Sequence, residues 1–104
     1  MIYEMRTYRL KPGATPAYLR LVEERGIAIQ KHHLGGLVGY FASEIGPLNE
    51  IVHIWAYVDM MDRERRRATL AADPGWQAFV PNIQAMIDTM ESKILRPAAF
   101  SPLA

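Results

Sequence analysis

Residues 49–59, Asn-Glu-Ile-Val-His-Ile-Trp-Ala-Tyr-Val-Asp, alternate between two kinds of side chain, a pattern only an extended strand can use. Successive strand residues point to opposite sides of a sheet. Val52, Ile54, Ala56 and Val58 make one small aliphatic face; Ile51, His53, Trp55 and Tyr57 make a face of large, partly polar groups. The small face suits packing beneath helices. The large face is too apolar for open water and too polar for a plain core. Such a strand wants two covers, and the expected second cover is another copy of the chain, seated on the aromatic side.

The rest of the chain supplies the helices and the other strands. Residues 2–10 alternate as a first strand, with Glu4, Arg6 and Tyr8 on one face and Tyr3, Met5 and Thr7 on the other. Lys11-Pro12-Gly13 is a turn. Thr15 is the expected N-cap of a helix opened by Pro16 and running to about Lys31, with Tyr18, Leu21, Val22 and Ile29 on its apolar stripe. Gly26 inside that helix costs about 1 kcal/mol relative to alanine, which points to close packing or a local bend. Gly35 and Gly36 end the helix. A second strand over residues 37–45 joins the 49–59 strand through Gly46-Pro47-Leu48-Asn49. With a loop of that length Ile45 opposes Glu50, which puts Tyr40, Ala42 and Glu44 on the His53 face and Phe41 on the aliphatic one.

Asp59 caps the next helix, with Asp62 three residues on. Arg63 to Arg67 reads as a solvated, charge-rich face. Asp73-Pro74-Gly75-Trp76 stops one helix and starts another. Trp76 anchors the break, and Pro81 is expected to kink the new helix or end it early. Residues 86–96 form a last strand, with Met90 and Ile94 on one side and Thr89, Glu91 and Lys93 on the other. The order β-α-β-β-α-(α)-β with right-handed crossovers predicts an α+β fold, the ferredoxin-like plait with a four-stranded antiparallel sheet. Two such sheets closing face to face give a dimeric α+β barrel with a lumen between them.

Composition narrows the function classes. The chain has 104 residues, one domain's worth, and half of them are hydrophobic. Its formal net charge is +1, without a basic tract, so nucleic acid is not an expected partner. With no cysteine there is neither a disulfide framework nor a thiolate nucleophile. No apolar run reaches membrane-spanning length, and the chain opens directly into strand sequence without a targeting leader, so the expectation is a soluble cytoplasmic protein with no membrane partner.

Candidate chemistry gathers on the face meant for the lumen. His53 is the candidate acid/base, since imidazole titrates near neutrality; its alternative is a buried histidine satisfied by hydrogen bonds to a neighbouring strand or the partner chain. Arg6 is the expected anion clamp; its alternative is an internal ion pair with Glu4 or Glu91. Glu4, Tyr8, Tyr40, Trp55 and Tyr57 are expected to line the pocket, with Trp55 and Tyr57 equally suited to interface packing. His32 and His33 have no partner at ligand spacing, so no metal site is expected. No nucleophile elbow and no phosphate-binding glycine loop appears.

Tyr3-Glu4-Met5-Arg6-Thr7-Tyr8-Arg9-Leu10-Lys11-Pro12-Gly13, the Asn49-to-Tyr57 stretch, the Arg-rich helix and Asp73-Pro74-Gly75-Trp76 together resemble NIPSNAP-type domains, in the family's order and over nearly the whole chain. The resemblance implies the dimeric α+β barrel fold, a superfamily that also holds cofactor-independent monooxygenases, haem-degrading enzymes and dismutase-like members. The NIPSNAP group has no settled activity; its eukaryotic members are linked to mitochondria and vesicle traffic. Three functions therefore stand as expectations. The first is a homodimer binding a small aromatic or enolisable molecule in the lumen without a cofactor, with monooxygenase-like chemistry run by His53 and Arg6. The second is a non-catalytic interaction module whose lumen Trp55 and Tyr57 close. The third is haem binding through His53.

Overall fold

A computed structural model describes all of residues 1–104. Its strands fall where the alternation of the sequence puts them: β1 at Ile2–Leu10, β2 at Gly36–Ala42, β3 at Glu50–Tyr57 and β4 at Ile87–Leu95. They form one antiparallel sheet in the order β2-β3-β1-β4. Each helical connection thus passes over a strand, as the ferredoxin-like plait requires. The β2–β3 connection is longer than four residues. Tyr40 opposes His53 and Ala42 opposes Ile51, and Ser43 N still donates to Glu50 O at 2.9 Å. The shift from the expected register is two residues, an even number, so Tyr40 keeps the His53 face and Phe41 the Val52 face. Asn49 closes this loop with φ 59°. Its side-chain oxygen accepts from Gly13 N at 3.0 Å and from the Thr15 hydroxyl at 3.3 Å, which ties the β2–β3 loop to the turn after β1.

The two faces of the sheet are covered the other way round from the expectation. Ile51, His53, Trp55 and Tyr57 lie beneath the chain's own helices, each no more than 1 % exposed. Val52, Ile54 and Ala56, expected under the helices, stand on the uncovered face with Met5, Thr7 and the half-exposed ring of Phe41. The physical reason is volume. Helices sit well above a sheet, and only large side chains fill that gap at crystal-like density. One cluster joins Tyr8, Leu10 and Ile51 to Tyr18, Val22, Phe79 and Ile83; a second joins Trp55 and Tyr57 to Leu34 and Leu70. Residues 97–104 fold back along the uncovered side, where the Tyr3 hydroxyl donates to Leu103 O at 2.6 Å.

The first helical stretch is continuous but changes pitch. It runs as α1 (Thr15–Leu21), a π turn (Val22–Gly26) and α2 (Ile27–Leu34). Ala14 takes the N-cap position without a side-chain bond, since the Thr15 hydroxyl is turned to Asn49. Gly26 packs directly on Phe79: a Cβ there would stand 2.5 Å from the ring. Phe79 is itself in the core and cannot retreat. Gly26→Ala is therefore expected to destabilise. Overpacking costs about 1–3 kcal/mol, which outweighs a helix-propensity gain of about 1 kcal/mol. Urea unfolding checks this, and a more stable variant would show that the Phe79 ring yields freely.

Helix α3 (Met60–Ala72) starts as the acidic pair suggested. Asp59 Oδ1 accepts from Asp62 N at 2.8 Å, and Asp62 Oδ2 accepts from Val58 N at 3.0 Å. Asp73 caps α4 (Pro74–Gln84) through Trp76 N at 3.1 Å, and its Oδ2 also meets His33 Nε2 at 2.8 Å. The bonds from His33 and Trp76 hold the Asp73 carboxyl below its usual range. Pro81 does not end α4. It and Gln77, whose carbonyl loses its helical donor, are both exposed, so the carbonyl is left within reach of solvent rather than buried unpaired. No helix is long and apolar enough to cross a membrane.

Candidate functional site

Charge, not histidine, organises the space between sheet and helices. Glu4 points from the middle of β1 toward α3 with its side chain fully buried. Arg6 Nη1 donates to Oε2 at 2.9 Å. Arg63 donates twice, from Nε to Oε1 at 3.1 Å and from Nη2 to Oε2 at 3.0 Å, and the Ser92 hydroxyl completes the set from β4. Arg67 stands one helical turn further along, 3.7 Å from Oε1. Burial by itself would raise the Glu4 carboxyl; the bonds from Arg63 and Ser92 and the charges of Arg67 and Arg6 outweigh it and hold the group at about 2. The Arg-rich stretch is therefore not simply a solvated face. Arg63 and Arg67 are four apart, so they share the side of α3 that faces the sheet. Arg65 and Arg66 bond to Asp62 at 2.8 and 2.9 Å, and Arg66 also reaches the carbonyls that end α2.

Beside this cluster lies a cavity of about 160 Å³. Arg6 and Arg67 supply its cationic side, Tyr8, Tyr18 and Tyr40 its hydroxyls, and Trp76, Phe79 and Ile83 part of its apolar wall. Arg6 Nε donates to the Tyr8 hydroxyl at 2.8 Å, and the Tyr18 and Tyr40 hydroxyls meet at 2.9 Å. Burial, with Tyr40 alongside, raises the Tyr18 phenol; burial also pushes the Tyr40 phenol up to about 12. Tyr18 and Tyr40 are thus neutral hydroxyls near pH 7. Two of the three phenols arrive from the sheet, on β1 and β2, and Tyr18 from α1. The π turn begins directly after this helix, at Val22, which also lines the cavity. Such widened turns concentrate at functional sites.

His53 lies next to the cavity rather than on its wall. Its ring stacks on Tyr40 at 4.6 Å between centroids and meets Tyr8 edge-on at 5.0 Å. Trp55 Nε1 donates to His53 Nδ1 at 2.7 Å. Burial, then the charges of Arg6 and Arg67, lowers the imidazole from 6.5 to about 3. A neutral imidazole has one N–H, and with Nδ1 accepting, that proton sits on Nε2. Nε2 is buried without a partner. As held here, His53 presents an N–H rather than a free lone pair, so the geometry favours a buried, hydrogen-bonded histidine over a general base. The same lock argues against it as a haem ligand. Size argues further, since a cavity of roughly 150 Å³ holds a benzene-sized guest and not a macrocycle.

Of the seven residues expected to form the site, Arg6, Tyr8 and Tyr40 meet at the cavity. Glu4 stands behind it as the buried counter-charge. Trp55 and Tyr57 are core side chains within one chain, so they neither line the pocket nor close a lumen between two chains. The Tyr57 hydroxyl is buried without a well-formed hydrogen bond, and burial raises its phenol although Arg67 nearby opposes this. The alternative pairing of Arg6 with Glu4 is the one observed; Glu91 faces the opposite side of the sheet. Sequence reasoning missed Arg67, Tyr18 and Phe79. Tyr18 and Val22 share a stripe that could have flagged the helix side. Nothing local pairs Arg67 with Glu4, which lies on the first strand of the chain.

Known proteins share the fold of this chain. The family profile described as NIPSNAP matches residues 3–102. The Protein NipSnap of Drosophila melanogaster is 37 % identical over 106 residues, which is 97 % of this chain and 36 % of that protein. The chain spans between about a fifth and two fifths of the length of the first curated relatives it matches, from 19 % to 42 %. The crystal structure of a NIPSNAP family protein of unknown function from Agrobacterium tumefaciens superposes with a TM-score of 0.98 at 63 % identity, over 100 % of this chain and 94 % of that one. An antibiotic biosynthesis monooxygenase gives a TM-score of 0.67 at 19 % identity, over 94 % of this chain and 99 % of that one, a likeness of fold alone. With the profile running from β1 past β4 through every element that builds the cavity, the chain belongs to the NIPSNAP family.

Proposed function

We propose that this chain is a homodimeric protein that binds a small flat molecule in the cavity between its sheet and its helices. The observation that carries the proposal is the cavity itself, of about 160 Å³, with a few convergent polar groups set in an aromatic and aliphatic wall. That composition is what small-ligand sites share. The homodimer rests on the uncovered sheet face, where Met5, Val52, Ile54 and the 55 % exposed Phe41 form an apolar surface that a second sheet would hide. Cofactor-independent oxygen transfer is supported only by the likeness of fold, and fold does not imply function. His53 lends it no base.

Two measurements test this. Benzyl alcohol, a neutral single-ring probe, is titrated against labelled protein and the two indole N–H resonances are followed. Trp76 lines the cavity and is expected to shift, while Trp55, sealed in the core, is not. If neither this probe nor a charged ring moves Trp76, the binding proposal falls. Native mass spectrometry is expected to give a dimer, and a monomer at micromolar concentration would overturn the assembly.

A further inference from the structure

From the imbalance of charge at the cavity we infer that its ligand is an anion, a carboxylate carried on a single flat ring. This rests on the binding proposal above and adds the chemical class. Three guanidiniums, Arg6, Arg63 and Arg67, converge on the single carboxylate of Glu4. Glu4 cannot balance them. Its Oε2 already accepts from Arg6, Arg63 and Ser92, and its Oε1 from Arg63. The uncompensated charge lies on the side of the cavity, because Arg6 and Arg67 both line it and Arg63 does not. Arg67 is held most loosely, 3.7 Å from its nearest carboxylate oxygen and beside the Tyr57 hydroxyl without a well-formed bond to it, and so has donors left for another partner.

The hydroxyls point to the same class. Tyr8 accepts from Arg6 Nε, which leaves its own O–H free to donate. The Tyr18–Tyr40 pair uses one O–H between two oxygens and leaves the other free. Both members of that pair stay protonated at neutral pH, so neither repels an anion. Gln30 and Gln84 also line the cavity, each with an amide that both donates and accepts; with the guanidiniums and phenols added, donors exceed acceptors, and a ligand head that only accepts is the complement. A planar carboxylate matches the fork of an arginine. The ring follows from the wall, where Trp76 and Phe79 stand 5.5 Å apart with planes tilted by 34°, and from the volume, which suits about one ring.

The probes are benzoate, benzamide and inorganic phosphate, read by the Trp76 resonance and by isothermal titration. Benzoate is expected to bind about tenfold or more tighter than its neutral isostere benzamide, the scale of one charge-assisted hydrogen bond. Arg67→Met keeps the aliphatic stem and removes no well-formed hydrogen bond, so the fold should persist; it is expected to bring the two affinities to within about twofold, while Arg67→Lys keeps most of the preference. Equal affinities in the unaltered protein would overturn the anion inference while leaving the binding proposal intact. An undiminished preference in Arg67→Met would overturn the role of Arg67. Phosphate displacing benzoate at equal concentration would show a tetrahedral anion site and overturn the carboxylate. If no ring binds in any form, both proposals fail together.

Discussion

Glu4→Gln is expected to lower folding stability by about 3–5 kcal/mol, the cost of leaving a buried cation without its partner. The amide keeps the shape of the side chain but not its charge. Arg6, Arg63 and Arg67 then face one another across the end of the sheet with no anion between them. A typical domain is stable by only about 5–15 kcal/mol, so this one atom-for-atom exchange removes a large share of the whole. Urea unfolding reads it as a fall in midpoint at constant slope. The double variant Glu4→Gln/Arg63→Met should recover part of the loss, because it removes one of the stranded charges. A single-variant cost below about 1 kcal/mol would mean that the guanidiniums are solvated and the cluster is worth no more than a surface pair.

The second large effect is the loss of stability in acid. His53 is held neutral with its imidazole lowered from 6.5 to about 3. A group lowered on folding binds more protons when unfolded, so its contribution is complete above about pH 6.5 and drains away as the pH falls toward 3. At about 1.4 kcal/mol per pH unit this amounts to about 4–5 kcal/mol. Glu4, lowered from 4.5 to about 2, adds about 3 kcal/mol of the same sign, lost as the pH falls from 4.5 toward 2. The groups facing His53 act together: Arg6, Tyr8 and Glu4 from β1, Tyr40 from β2, Trp55 from its own strand and Arg67 from α3. The two arginines repel an imidazolium and Glu4 only partly offsets them. His53→Leu should therefore flatten the dependence of stability on pH between 6.5 and 4 by about 1.4 kcal/mol per pH unit. An unchanged slope would show that the imidazole takes up its proton without unfolding.

Fold and assignment of faces were legible in the sequence to different degrees. Alternation in residues 2–10 and 49–59, with Pro16, Asp59 and Asp73 opening helices, is a local signal, and each element appears where that signal lies. The partition into two faces is equally local, and Tyr40, His53 and Trp55 do share one. Which face the helices cover is not local. It depends on the gap between layers, and the aromatic side chains that looked suited to a partner chain are the ones long enough to reach the helices. The site divides in the same way. Arg6, Tyr8 and Tyr40 were visible because strand periodicity aligns them. Arg67 was not, because its role depends on how a distant helix lies across the sheet. His53 was visible as a residue but not as a state, since the Trp55 N–H that fixes its tautomer is a matter of rotamer.

The strand order delays the pairing of β1. β1 leaves the ribosome before the other three strands of its sheet, yet it lies between β3 and β4, and β4 comes from residues 87–95. Every backbone pairing that β1 makes must wait for chain produced later. Glu4 waits as well, because Arg63 and Ser92 both lie far downstream. Arg6 is made with it, but the rest of its cage is complete only once Ser92 has been synthesised. Until then β1 is an unpaired strand with Tyr3, Met5 and Tyr8 on show, the kind of segment that chaperones shield. Folding that is slow because of topology thus becomes a period of exposure during translation, and its length is set by where β4 stands in the sequence.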